Sequence, residues 1–170
     1  MDARNYVKSN MPYDIVNSLN GSERDMVLTF HKVNKIPNTN VDTITDDRLA
    51  MRLGLLVEEL KELFEDGFNI TLDISYLTGK NVYYNIKDAL SSTGIRNLAG
   101  IADAQADIAY VNHGLAIELD YNLSEVFKEV HASNMTKLDN EGNPILRADG
   151  KILKGPNFIE PNIEKAINVS

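Results

Sequence analysis

Two long apolar segments that carry acids at helical spacing constrain this chain more than anything else in it. The first, RLGLLVEELKELF over 52–64, sets Glu58, Glu59 and Glu62 among leucines. On a helix at about 100° per residue, Leu53, Leu56, Val57, Leu60, Leu63 and Phe64 make one broad apolar face. Glu59 and Glu62 fall opposite, with Glu58 just past Glu62. Leu55 lies between them and Met51 lies near Glu58, so this is not a plain solvated face. A helix apolar nearly all round is usually buried, and buried acids need partners. The second segment, ADAQADIAYV over 102–111, repeats the anomaly. Asp103 and Asp107 are four apart on one face, with Tyr110 beside them and small alanines around. Aspartate is a poor helix former, and like charges at this spacing repel. A divalent cation would turn both costs into ligation. Magnesium favours hard oxygen ligands, a few carboxylates plus substrate phosphate. Taken singly, each helix reads more simply as one with solvated acids. A ferritin-like di-iron site needs Glu-x-x-His, and neither cluster has a His three residues on.

The 170 residues suggest one domain, 1–170, with a core of about 22–138 and an arm of about 139–160. Ser22 with Asp25 resembles a capping box ahead of a helix over 24–33. IPNTNVDT reads as a loop. Thr45 looks like an N-cap for a helix over 46–66 that stops at Gly67. Residues 68–98 are ambiguous: FNITLDISYL alternates like a strand, and TGKNVYYNIKDALSSTG suits a loop with a short helix. A long helix over 97–119 follows despite Gly100 and Gly114, and Asn122 with Glu125 caps another over 123–135. Turn chemistry then takes over, with a small β-hairpin expected around Asp149-Gly150 and a short polar tail. The fold class is all-α, like a four-helix bundle, with a turn-rich C-terminal arm.

A net charge of -8 argues against a nucleic-acid polymer as partner. No cysteine is present, which excludes disulfides and thiolate metal sites. No apolar run approaches a membrane span. No N-terminal signal pattern precedes the sequons at Asn69, Asn122 and Asn134, so a cytoplasmic protein with chance sequons is expected. His31 alone on an apolar helix reads as a packed core residue. The arm carries Lys137, Arg147, Lys151 and Lys154 with glycines, which suits either phosphate binding or a solubilising hairpin. Two helices apolar nearly all round exceed what one chain's other helices can cover, so a homodimer or homotetramer is expected.

LVEELKEL, then DAQADIAYVNHGLAIEL, then EVFKEVHASNMTKLDNEGNPILRADGKILKGPNF together resemble the MazG-type all-α nucleoside triphosphate pyrophosphohydrolases. The likeness is greatest to the branch related to dimeric dUTPases and phosphoribosyl-ATP pyrophosphohydrolase, and it covers roughly residues 25–160. It implies a Glu-x-x-Glu and a Glu-x-x-Asp pair holding magnesium, with manganese a substitute. Glu59 and Glu62 match the first pair and Asp107 the last acid. Ala104 stands where the second glutamate would be, with Asp103 as its substitute. Glu58 matches the acid before the first motif, as base or second-metal ligand. The resemblance implies hydrolysis of a nucleoside triphosphate to monophosphate and pyrophosphate, with Asn134, Lys137, Lys154 and Tyr110 contacting substrate. The Ala104 departure leaves room for a catalytically weak member that binds nucleotide as a regulator, and a purely structural helical module is the third reading.

Overall fold

The structure is a computed structural model that describes residues 3–37, 39–72, 82–148 and 150–168, without the side chains of Tyr83 and Tyr84. Its elements in chain order are α1 (Ala3–Asn10), α2 (Tyr13–Ser18), α3 (Glu23–Val33), α4 (Asp46–Phe68), α5 (Val82–Thr93), α6 (Leu98–Glu118), α7 (Leu123–Asn134) and α8 (Ile163–Ile167). The all-α class is as expected.

Local chemistry sets most boundaries. Ser22 and Asp25 form a reciprocal capping box at α3. Thr45 caps α4 through the Arg48 amide. At the far end Asn69 adopts the left-handed conformation and its amide returns to the Glu65 carbonyl, a conformation asparagine tolerates. The helix therefore runs to Phe68 and absorbs the first residue of the strand-like FNITLDISYL; residues 73–77 of that stretch lie outside the described residues. Asn122 caps α7 alone, accepting from Ser124, while Glu125 pairs with Lys128 instead of closing a capping box. The short helix expected within 78–94 is α5. The tail is less polar than expected, because Ala166 of α8 is buried where α8 packs on α7.

The central unit is the antiparallel pair α4 and α6, with α3 laid against α6. The start of α6 is tied to the end of α4: the Asn97 amide donates to the Gly67 carbonyl at 2.8 Å and its side chain to the Asp66 carbonyl at 3.1 Å. The other end is closed by a charge network. Glu118, 1 % exposed, accepts from Arg48 at 2.6 and 2.7 Å and from Arg52. Arg52 also meets Nε2 of buried His31 on α3 at 2.8 Å. Gly114 makes room for it, since a Cβ there would fall 2.8 Å from the Arg52 guanidinium. His31 is thus a core residue, as the sequence suggested.

Two expectations need correcting. The helix α4 is not buried within the chain: among its described residues only Arg52 and Gly67 are, while Leu53 and Val57 stand exposed, Val57 at 62 %. One neighbouring helix covers one side of it, and α7 and α8 pack on each other instead. Of its three candidate site acids, Glu58 and Glu62 are exposed for the same reason, and only Glu59 is half-buried. In the arm, the described residues form two isolated antiparallel bridges, Leu138 to Pro144 and Leu146 to Ile152, in place of strands. Asp149, half of the expected hairpin turn, lies outside the described residues. The arm folds back on the exit of α7, so closely that a Cβ at Gly155 would sit 2.0 Å from the Leu138 carbonyl oxygen.

Candidate functional site

Antiparallel pairing brings the middle of α4 opposite the first half of α6. That places Glu59 in a field of four other acids, Asp107 first, then Glu62, Glu58 and Asp103. Glu59 is half-buried and the other four are exposed. Burial, followed by this negative field, pushes the Glu59 carboxyl above its ordinary range. Among the described residues no cation offsets this field. The sequence places these five acids on two helices, and the fold sets the two sets face to face.

Asp103 is the weakest of the four influences on Glu59. Ala104 next to it is buried at the helix interface, 3 % exposed. The acid therefore sits one position round the helix, aimed past the interface. Its shorter side chain suits contact through water better than direct ligation.

The chemistry of the donor set fits magnesium, because all five offer hard carboxylate oxygens. Among the described residues, no three acidic or histidine groups stand close enough to hold an ion by themselves. Magnesium does not require such a cage: it commonly takes one or two carboxylates, keeps water, and completes its shell with substrate phosphates.

The remaining candidates fall in two places. Tyr110 stands about one turn beyond Asp107, its ring edge-on to Phe30 of α3 at 5.6 Å and 84°. It lines an apolar cleft of about 260 Å³ between α2, α3 and α6, and burial pushes its phenol upward. Lys137 and Lys154 converge on one ring: their Nζ atoms lie 5.8 and 4.4 Å from the Phe158 centroid. Lys154 is also paired with Glu160 at 2.5 Å. Asn134 ends α7 with its side chain exposed. The lysines are thus brought together with each other, and neither acts on Glu59. Ser133 holds the arm by donating to the Ile159 carbonyl at 2.6 Å, and the Ile159 amide donates to Thr136.

Sequence reasoning missed Phe158 and Glu160, which seat the two lysines. The adjacency of KGPNF to the basic residues was the only signal available. It also missed Arg48, Arg52 and Glu118, although two arginines four apart on an apolar helix are as anomalous as the glutamates.

The family model described as phosphoribosyl-ATP pyrophosphohydrolase matches residues 25–134, which spans α3 to α7 and all five acids. No curated protein matches the chain. With most of its length covered by that model, the chain belongs to the phosphoribosyl-ATP pyrophosphohydrolase family, within the MazG-like all-α pyrophosphohydrolase superfamily.

Proposed function

We propose that the chain is a magnesium-dependent nucleoside triphosphate pyrophosphohydrolase that cleaves between the α and β phosphates. The observation that carries this reading is the convergence of four acids on a fifth, Glu59, with no cation among the described residues to offset them. Glu59, Glu62 and Asp107 would hold the metal, with Asp103 through water. Magnesium supplies charge neutralisation on the phosphates and an acidified water. Glu58, exposed beside Glu59, takes a proton from the attacking water. That water's oxygen bonds to the α-phosphorus, the α–β bridging bond breaks, and monophosphate and pyrophosphate leave. Such chemistry asks the protein for position and electrostatics above all.

Lys137 and Lys154 hold phosphate oxygens, Asn134 positions sugar or phosphate, and Tyr110 borders the substrate. Lys154 exchanges Glu160 for phosphate as it does so. Because neither lysine acts on the acids in one chain, the arm closes onto bound nucleotide. The exposed Leu53 and Val57 on α4, and Leu98 at 78 % on α6, support a second copy packing on these helices as a homodimer or homotetramer. A single-chain mass by light scattering at micromolar concentration would refute that assembly. No helix among the described residues is long and apolar enough to cross a membrane.

The buried Ala104 favours one alternative, a family member that binds nucleotide with little turnover. A panel of canonical and modified nucleoside triphosphates, with phosphoribosyl-ATP, assayed for pyrophosphate with and without magnesium, separates the two. Magnesium-dependent pyrophosphate release supports the enzyme. Nucleotide-induced thermal stabilisation without release supports the binder.

A further inference from the structure

A cavity of about 670 Å³ lies away from the acids, between the end of α4 and α5. Asn69 and Thr71 line one wall, and Asn85, Asp88 and Thr93 the other. Among the described residues lining it there is no Lys, Arg or His, so it does not suit a phosphate. Its lining offers a carboxylate, two side-chain amides and hydroxyls, the groups that read a neutral ligand rich in N–H and O–H donors. The Asp88 carboxylate makes no hydrogen bond or ion pair among the described residues and is exposed. The Thr93 hydroxyl beneath this wall is shut from solvent with no hydrogen-bond partner, a buried polar group whose pairing needs a shift of the wall.

The cavity is also in line with the acids. Asn69 follows Glu62 by seven residues, which returns it to nearly the same side of the helix about 10 Å further along. That matches the reach from an α-phosphate to its base. Arg96 links the two walls: its guanidinium lies 5.6 Å over the Phe68 ring of α4 and donates to the Leu90 carbonyl of α5 at 3.4 Å.

Resting on the pyrophosphohydrolase reading above, we propose that this cavity receives the nucleoside end of the substrate and selects guanine through Asp88. A carboxylate only accepts hydrogen bonds. Guanine alone among the common bases sets two N–H donors, N1 and the 2-amino group, side by side on its Watson–Crick edge. Uracil and thymine offer one donor between two carbonyls, which a carboxylate repels. Asn69 and Asn85 donate amide hydrogens to the base carbonyl.

Guanosine and uridine, which carry no phosphate, probe the cavity without metal or turnover. Equilibrium dialysis of the full chain in EDTA should show guanosine bound at least about tenfold more tightly than uridine. Asp88→Asn should erase that preference, and Thr93→Val should weaken guanosine by severalfold, with circular dichroism checking the fold of each. In parallel, the ratio of kcat/KM for GTP over UTP should fall about tenfold in Asp88→Asn. Equal guanosine preference in wild type and both variants overturns the assignment, and it leaves the catalytic reading intact if pyrophosphate is still released. Loss of preference in Asp88→Asn in a protein that cleaves no triphosphate supports the cavity and removes the catalytic reading.

Discussion

The two ends of the α4–α6 pair solve the same problem in opposite ways. At one end, Glu118 is sealed from water and met by two arginines, with His31 accepting from one of them. Burial pushes the Glu118 carboxyl up, but the hydrogen bonds and charges of Arg48 and Arg52 outweigh it and hold it below its ordinary range. At the other end, Glu59 is pushed above that range, and among the described residues every charge acting on it is negative. Both arrangements are built from the same two helices. Charge that a fold needs is closed off and paired. Charge left open and unpaired costs stability, and a chain that keeps it points to a partner from outside.

The largest effect should come from breaking the paired end. Glu118→Ala strands two arginines against a buried interface and is expected to destabilise the chain by about 3–5 kcal/mol. Urea denaturation measures it, and a loss under about 1 kcal/mol would mean that the network only decorates the helix ends. Glu118→Gln tests the charge separately from the shape.

At the unpaired end the signs reverse. Asp107→Asn is expected to lower kcat by about a hundredfold or more, the scale on which removing one charge-stabilising group acts in other sites, while the apo protein keeps or gains stability. A steady-state assay beside a thermal melt reads both. Near-normal turnover in Asp107→Asn and in Glu59→Gln would remove these acids from the site.

Much of this contrast could be read before any coordinates. Helical period set Glu59 with Glu62, and Asp103 with Asp107, and caps at Ser22, Thr45 and Asn122 marked where helices begin. The pairing of the two acid rows could not be read, because it depends on α6 returning antiparallel to α4. Glu118 was invisible for a related reason: its partners lie 66 and 70 residues away, so it looked like an ordinary terminal acid. The short helices α1, α2 and α8 carry weak local signals, since helices of that length depend on what they pack against. Ala166, buried against α7, shows this. The burial of α4 was overestimated because an apolar face says that something covers it, without saying that the same chain does.

A smaller effect is expected in the arm. Lys137→Ala should lower kcat/KM by roughly tenfold, the loss of one charged hydrogen bond worth about 1.5–3 kcal/mol. Unchanged kcat and KM would make the arm a solubilising segment. Protease nicking of 139–155 should also slow when nucleotide and magnesium are added.

The smallest effect is on pH. Burial, then the charge of Arg52, holds the His31 pKa below its ordinary value, and Glu118 is likewise held low. A lowered folded pKa means that the native state binds fewer protons than the unfolded one. The His31 contribution is therefore full above about 6.5 and declines as pH falls below it, and that of Glu118 is lost in the carboxylate range below. Glu59 runs the other way: its raised pKa favours the fold in acid and weakens it as pH rises through that value. Melts of wild type and His31→Gln between pH 7.5 and pH 5 should converge towards acid. Parallel curves would place the acid sensitivity elsewhere.

Adding magnesium chloride to wild type and Glu59→Gln, against sodium chloride of equal ionic strength, tests the unpaired end most directly. Without magnesium, Glu59→Gln should melt above wild type, because one repelling charge is gone. Millimolar magnesium should raise the wild-type Tm beyond the sodium control and leave Glu59→Gln almost unmoved, narrowing or reversing the order. If magnesium stabilises both equally, or neither more than sodium does, the five acids are a solvated face and the account of this site is wrong.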